Sequence, residues 1–147
     1  VWGSSAIGAS TVTSLPACWQ GGGVAYIGYG GEARFDSCTI SRNLVYGSGI
    51  SAYGGVANII NGEARFGSCT ISGNSVSSSG SYAVDYAQGG VAYIYNGEVR
   101  FDNCAVSGNS VSGSGSDADG GVAYIDNGEA RFDNCAVSGN SVSSSGS

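Results

Sequence analysis

The sequence predicts an all-β fold: a right-handed parallel β-helix of about four coils, with three short strands per coil and Ser/Gly-rich connector loops. Three observations predict it. A block of 23 or 24 residues recurs four times, opening on the glycine pairs Gly22-Gly23, Gly54-Gly55, Gly89-Gly90 and Gly120-Gly121. Short runs inside each block alternate polar and apolar with the period of a strand. The block length is fixed while the spacing between blocks is not, as a solenoid with variable excursions requires.

Composition agrees. The chain has 147 residues with 27 Gly, one Pro, no Met and no His. Glycine and serine at this density disfavour helices and favour turns between extended runs. Only 11% of residues are charged but 41% are hydrophobic, so the chain is not a disordered tail. A net charge of −6 leaves nothing to neutralise a row of phosphates, and nucleic acid is not an expected partner. No apolar run approaches the roughly 20 residues that span a bilayer. The chain carries neither an initiator Met nor a signal peptide, so a processed chain or a piece of a longer one is expected.

Residues 1–21 fit the block poorly and are expected to form a cap or a degenerate coil, with Ser10–Thr13 as a strand. Four repeats follow, at 22–53, 54–88, 89–119 and 120–147. Val24, Val56, Val91 and Val122 are 32, 35 and 31 residues apart. The variation falls in the connectors Tyr46–Tyr53, Ser77–Gln88 and Ser112–Asp119.

Within a block the first run is Val-Ala-Tyr-Ile. Its alternation admits either Ala25 and Ile27 or Val24 and Tyr26 inside; the first is preferred, leaving Tyr26, Tyr93 and Tyr124 in an outer row broken by Asn58. The second run alternates strictly, with Glu32, Arg34 and Asp36 outward and Ala33 and Phe35 inward, and Phe66, Phe101 and Phe132 repeat the position. Carried forward, the alternation puts Cys38 and Ile40 inside and Thr39 and Ser41 outside. At the next corner Asn43, Asn74, Asn109 and Asn140 are expected to form an asparagine ladder between coils.

These blocks resemble the repeats of polymorphic outer membrane proteins and related β-helical surface proteins. The matching residues are Gly89-Gly90, Gly97, Phe101, Asn103, Cys104 and Ser107-Gly108-Asn109-Ser110, and the likeness covers roughly residues 22–142. It implies the β-helix fold and a place at the cell surface. It does not select among adhesins, autotransporter passengers and other surface proteins.

Each candidate constellation has a structural reading beside its chemical one. Cys38, Cys69, Cys104 and Cys135 share one position in successive coils. A coil spacing of about 4.8 Å lies within the Cα range a disulfide accepts. Neighbours could therefore pair, leaving Cys18 over. The preferred alternative is a column of reduced thiols packed as small hydrophobes. Zinc is not expected, because one inward face cannot offer four thiolates tetrahedrally and the chain has no His. The outward charges form a lattice: Glu32/Arg34/Asp36, Glu63/Arg65/Gly67, Glu98/Arg100/Asp102 and Glu129/Arg131/Asp133. A polysaccharide-cleaving site would need two carboxyls tuned differently in a cleft, whereas here one cluster is copied four times. Calcium could meet these oxygens, but no calcium-binding repeat pattern occurs. Thr39 and Thr70 begin an outward hydroxyl row of the kind an ice-binding face uses. Ala105 and Ala136 break it.

The expected function is structural: an extracellular or cell-surface stalk or filament that grows by continued coil stacking, including end-to-end self-association of subunits into a fibre. The alternatives are an adhesin using the tyrosine row and Ser-rich loops, and, less favoured, a polysaccharide-active enzyme. No cofactor is expected. The loops Ser77–Ser81, Ser112–Ser116 and Ser143–Ser147 are candidate O-glycan carriers, and no N-glycosylation sequon occurs.

Overall fold

At the phenylalanine, arginine and glutamate positions, identical side chains meet one above another through all four coils. The computed structural model describes residues 10–12, 23–48, 51–79, 86–114 and 117–145, and among them there is no helix. The fold is a parallel β-solenoid of about four coils whose strands stack into five walls. Wall one holds Ala25–Gly28, Ala57–Ile60, Ala92–Tyr95 and Ala123–Asp126. Wall two holds Glu32–Asp36, Glu63–Gly67, Glu98–Asp102 and Glu129–Asp133. Wall three holds Thr39–Ser41, Thr70–Ser72, Ala105–Ser107 and Ala136–Ser138.

Two further walls lie where the sequence suggests loops. Wall four stacks Leu44–Ser48, Ser75–Ser79, Ser110–Ser114 and Ser141–Ser145, and wall five stacks Ala52–Tyr53, Tyr86–Gln88 and Asp117–Asp119. The described residues of the Ser/Gly-rich connectors are thus largely strand, and the coil has five strand positions where three were expected. Serine and glycine have weak strand preference, but the wall is set by stacking against identical neighbours, which outweighs propensity. Val45, Val76 and Val111 point inward there and pack with Ala52 and Ala87 into a second, smaller core.

Among the described residues, corners are turned by residues in the left-handed region. Before the glutamate this is Asn61, Asn96 or Asn127, with φ of 55, 51 and 56°. Before the cysteine it is Ser37, Ser68, Asn103 or Asn134, and before the ladder asparagine it is Gly73, Gly108 or Gly139. Glycine and asparagine adopt this conformation most readily. The first coil departs from the rule, with Tyr29 and Arg42 at two of these corners.

At the glycine pair the need is steric as well. A Cβ on Gly55 would lie 2.2 Å from the Gly90 carbonyl oxygen, and one on Gly54, at φ +62°, would lie 2.1 Å from that of Ala57. Immediately after the pair, two consecutive amides share one acceptor. Val56 and Ala57 N–H both donate to Val91 O, and Val91 and Ala92 N–H both donate to Val122 O. The strand kinks there as at a bulge, so valine and alanine both face the core. Val56, Ala57, Val91 and Ala92 are all fully buried. Beyond the kink the preferred alternation holds: Ala25 and Ile27 are buried, and Tyr26 is half-exposed.

The two ends of the stack differ. Ser10–Val12 runs antiparallel along Glu32–Asp36 at the N-terminal edge of wall two. Thr13, Cys18 and the rest of residues 1–9 and 13–22 lie outside the described residues. The first coil is buried, with Phe35 at 0% and Ile40 at 3% exposure, whereas Phe132 and Val137 in the last coil are 39% and 50% exposed.

Candidate functional site

The inward columns are the chemistry the fold brings together. Phe35, Phe66, Phe101 and Phe132 stack with ring centroids 4.8, 4.9 and 4.7 Å apart and planes within 10° of parallel. This spacing is the strand separation itself, so the stack is imposed by the parallel register that pairs phenylalanine with phenylalanine.

The asparagine ladder forms as expected, and it has a direction. Asn74 Oδ1 accepts from the backbone N–H of Asn43 at 3.1 Å and from its Nδ2 at 2.8 Å. Asn109 Oδ1 does the same for Asn74, and Asn140 Oδ1 for Asn109. Each amide group also donates from Nδ2 to a carbonyl one coil earlier: Asn74 to Ile40 O, Asn109 to Ile71 O and Asn140 to Val106 O. Every oxygen in the ladder therefore faces the preceding coil. Asn43 Oδ1, at the head, is buried without a hydrogen-bond partner.

The four described cysteines are free thiols. The Cys69 S–H lies between the carbonyls of Phe35 and Gly67, at 3.3 and 3.2 Å, and the Cys104 S–H between those of Phe66 and Asp102. Their sulfurs also accept: Cys69 N–H donates to Cys104 Sγ and Cys104 N–H to Cys135 Sγ, each at 3.4 Å. Burial pushes the Cys69 thiol up from its ordinary 9.0 to about 11, and raises that of Cys104. A thiol whose folded value lies above its unfolded one stabilises the fold fully below pH 9; that contribution is lost as pH rises through about 11. Denaturant midpoints should therefore hold up to pH 9 and then fall. In native-state alkylation read by peptide mass spectrometry, half-buried Cys135 should react well ahead of Cys69 and Cys104.

Outward, the charge lattice stacks like over like, Glu98 on Glu63 and Arg100 on Arg65. Relief comes mostly within a strand. Arg65 meets Glu63 at 2.5 Å, Arg131 meets Glu129 at 2.6 Å and Arg100 meets Asp102 at 2.9 Å; Arg100 also crosses to Asp133 in the next coil at 3.1 Å. These pairs lie at the solvent-facing surface, where water screens them, and they add little to stability. An open groove of about 750 Å³ follows the Asn-Gly-Glu corners along the stack, lined by Glu32, Glu63, Glu98 and Glu129. Beside it Asn127 Nδ2 donates to Asn96 Oδ1. The hydrogen bond from Arg131 holds the Glu129 carboxyl below its ordinary value, opposite to what a general acid needs. Among the described residues no cluster of three or more His, Cys, Asp or Glu is placed to hold a metal. The outward threonine row ends where Thr70 pairs with Ala105, as the sequence indicates.

The tyrosine row contains a replacement that sequence spacing does not show. Asn58 stands where a tyrosine is expected, and Tyr53 from the preceding connector brings its ring to 4.5 Å from that of Tyr93. Tyr93 and Tyr124 lie 5.6 Å apart with planes 3° from parallel. These two rings stack on each other. Asn58 is itself buried, and its Oδ1 has no hydrogen-bond partner. No described helix is long and apolar enough to cross a membrane. Comparison of the chain with protein-family models, curated proteins and solved structures returned no match.

Proposed function

We propose that this chain is a structural segment of an extracellular or cell-surface stalk or filament, a rod whose work is mechanical. The carrying observation is the unbroken run of in-register columns: phenylalanine, asparagine and cysteine repeat through four coils without any coil departing to form a distinct site. A catalytic centre breaks a repeat, because one residue in it must differ from its copies. The resemblance of the Gly89–Ser110 block to polymorphic outer membrane protein repeats supports a place at the surface. O-glycans on outward serines such as Ser79, Ser114 and Ser145 would suit an exposed stalk.

The adhesin reading draws less support, because the Tyr93 and Tyr124 rings cover one face of each other, where a sugar would lie. End-to-end association of intact copies is likewise disfavoured, since the first coil is already buried on its N-terminal side. Surface immunolabelling of native cells combined with electron microscopy of the released material tests the proposal. Rods lengthening by about 4.8 Å per coil are expected. Compact particles, or labelling confined to the cell interior, would overturn it.

A further inference from the structure

We propose that the C-terminal end of the solenoid is a directional docking surface for one further coil of the same repeat, presented with a bare N-terminal side. The proposal rests on the structural reading above and names the partner that such a rod takes up. Apolar exposure marks the surface. Ile125, Phe132, Val137 and Val142 are 44, 39, 50 and 46% exposed, while Ile94, Phe101, Val106 and Val111 one coil earlier are at most 1% exposed. The same coil-to-coil contact is already made three times within the chain, and the patch continues it.

Polarity selects the occupant. In each earlier coil the ladder asparagine N–H finds the Oδ1 of the next asparagine, and the N–H of Cys69 or Cys104 finds the next cysteine sulfur. No described residue accepts from the N–H of Asn140 or Cys135. An incoming face must therefore carry acceptors at both places, which a coil of this repeat supplies with its own asparagine and cysteine. Two C-terminal ends turned face to face would set donor against donor, so the contact is heterologous. An intact second copy does not provide the bare side either. Its first coil is buried, and Ser10–Val12 lies along Glu32–Asp36. Asn43 Oδ1 there is buried without a hydrogen-bond partner.

The test extends the protein. Ser143–Ser147 leads to its own end as Ser112–Ser116 leads to Asp117, so a copy of residues 117–145 joined after Ser147 keeps the register. Alkylation of Cys135 in this extended chain should slow by about tenfold, toward the rate of Cys104. The same extension with its ladder asparagine replaced by alanine should give substantially less protection. Equal reactivity of Cys135 with and without the extension overturns the docking surface. Equal protection by both extensions overturns its polar selection. Dimers of the unextended chain in sedimentation velocity, abolished by Phe132→Ser, overturn the choice of occupant. All of these are read on purified protein, so they stand or fall separately from the native rods, whose absence would sink the structural reading instead.

Discussion

Asn74→Ala is expected to lower stability by about 4 kcal/mol, because one truncation strips a partner from three buried groups and weakens the bonding of a fourth. Asn43 loses the acceptor for its N–H and for its Nδ2, Ile40 O loses a donor, and Asn109 Oδ1 loses one of its two donors. Each unsatisfied buried group costs about 1–3 kcal/mol, and a water entering the vacated space would offset part of the sum. Asn140→Ala supplies the comparison. Asn140 itself is half-buried in the last coil, so solvent can enter the space it leaves and reach the groups it served, and a cost of about 1 kcal/mol is expected. Urea midpoints at unchanged slope measure both. Equal losses would mean that the ladder is not a buried network.

The second large effect is Phe66→Ala, at about 3–5 kcal/mol. The Phe66 ring is fully buried between Phe35 and Phe101, so its removal leaves a cavity in the middle of the stack. Phe132→Ala removes the same side chain from the last coil, where 39% exposure means much of its surface already meets water. About 1–2 kcal/mol is expected there. A Phe132 loss as large as that of Phe66 would show that the last coil is covered in solution, and would count against an open end.

Much of this was legible in the residues because a solenoid writes its contacts into its period. Once Phe35, Phe66, Phe101 and Phe132 occupy one repeat position on a strictly alternating run, their stacking follows from the strand spacing. The cysteine column and the asparagine ladder follow from the same argument. What was not legible depends on neighbours outside the block. Ser75–Ser79 and Ser110–Ser114 look like linkers by composition and become strands because each lies on a copy of itself. The inside of the first run was ambiguous because Val91 and Ala92 share one acceptor, which puts two consecutive side chains inward. Tyr53 entering the gap at Asn58 comes from a connector whose length differs between coils. The contrast between buried Phe35 and exposed Phe132 was not legible either, because the repeat gives both the same position.

The chain contains four phenylalanines, and all four lie in the one column. Solid-state or solution NMR on protein labelled only at phenylalanine rings therefore reads the stack directly. The account predicts ring-to-ring contacts for Phe35 with Phe66, Phe66 with Phe101 and Phe101 with Phe132, and none between Phe35 and Phe101. Rings without mutual contacts, or a contact that skips a coil, would contradict the in-register solenoid.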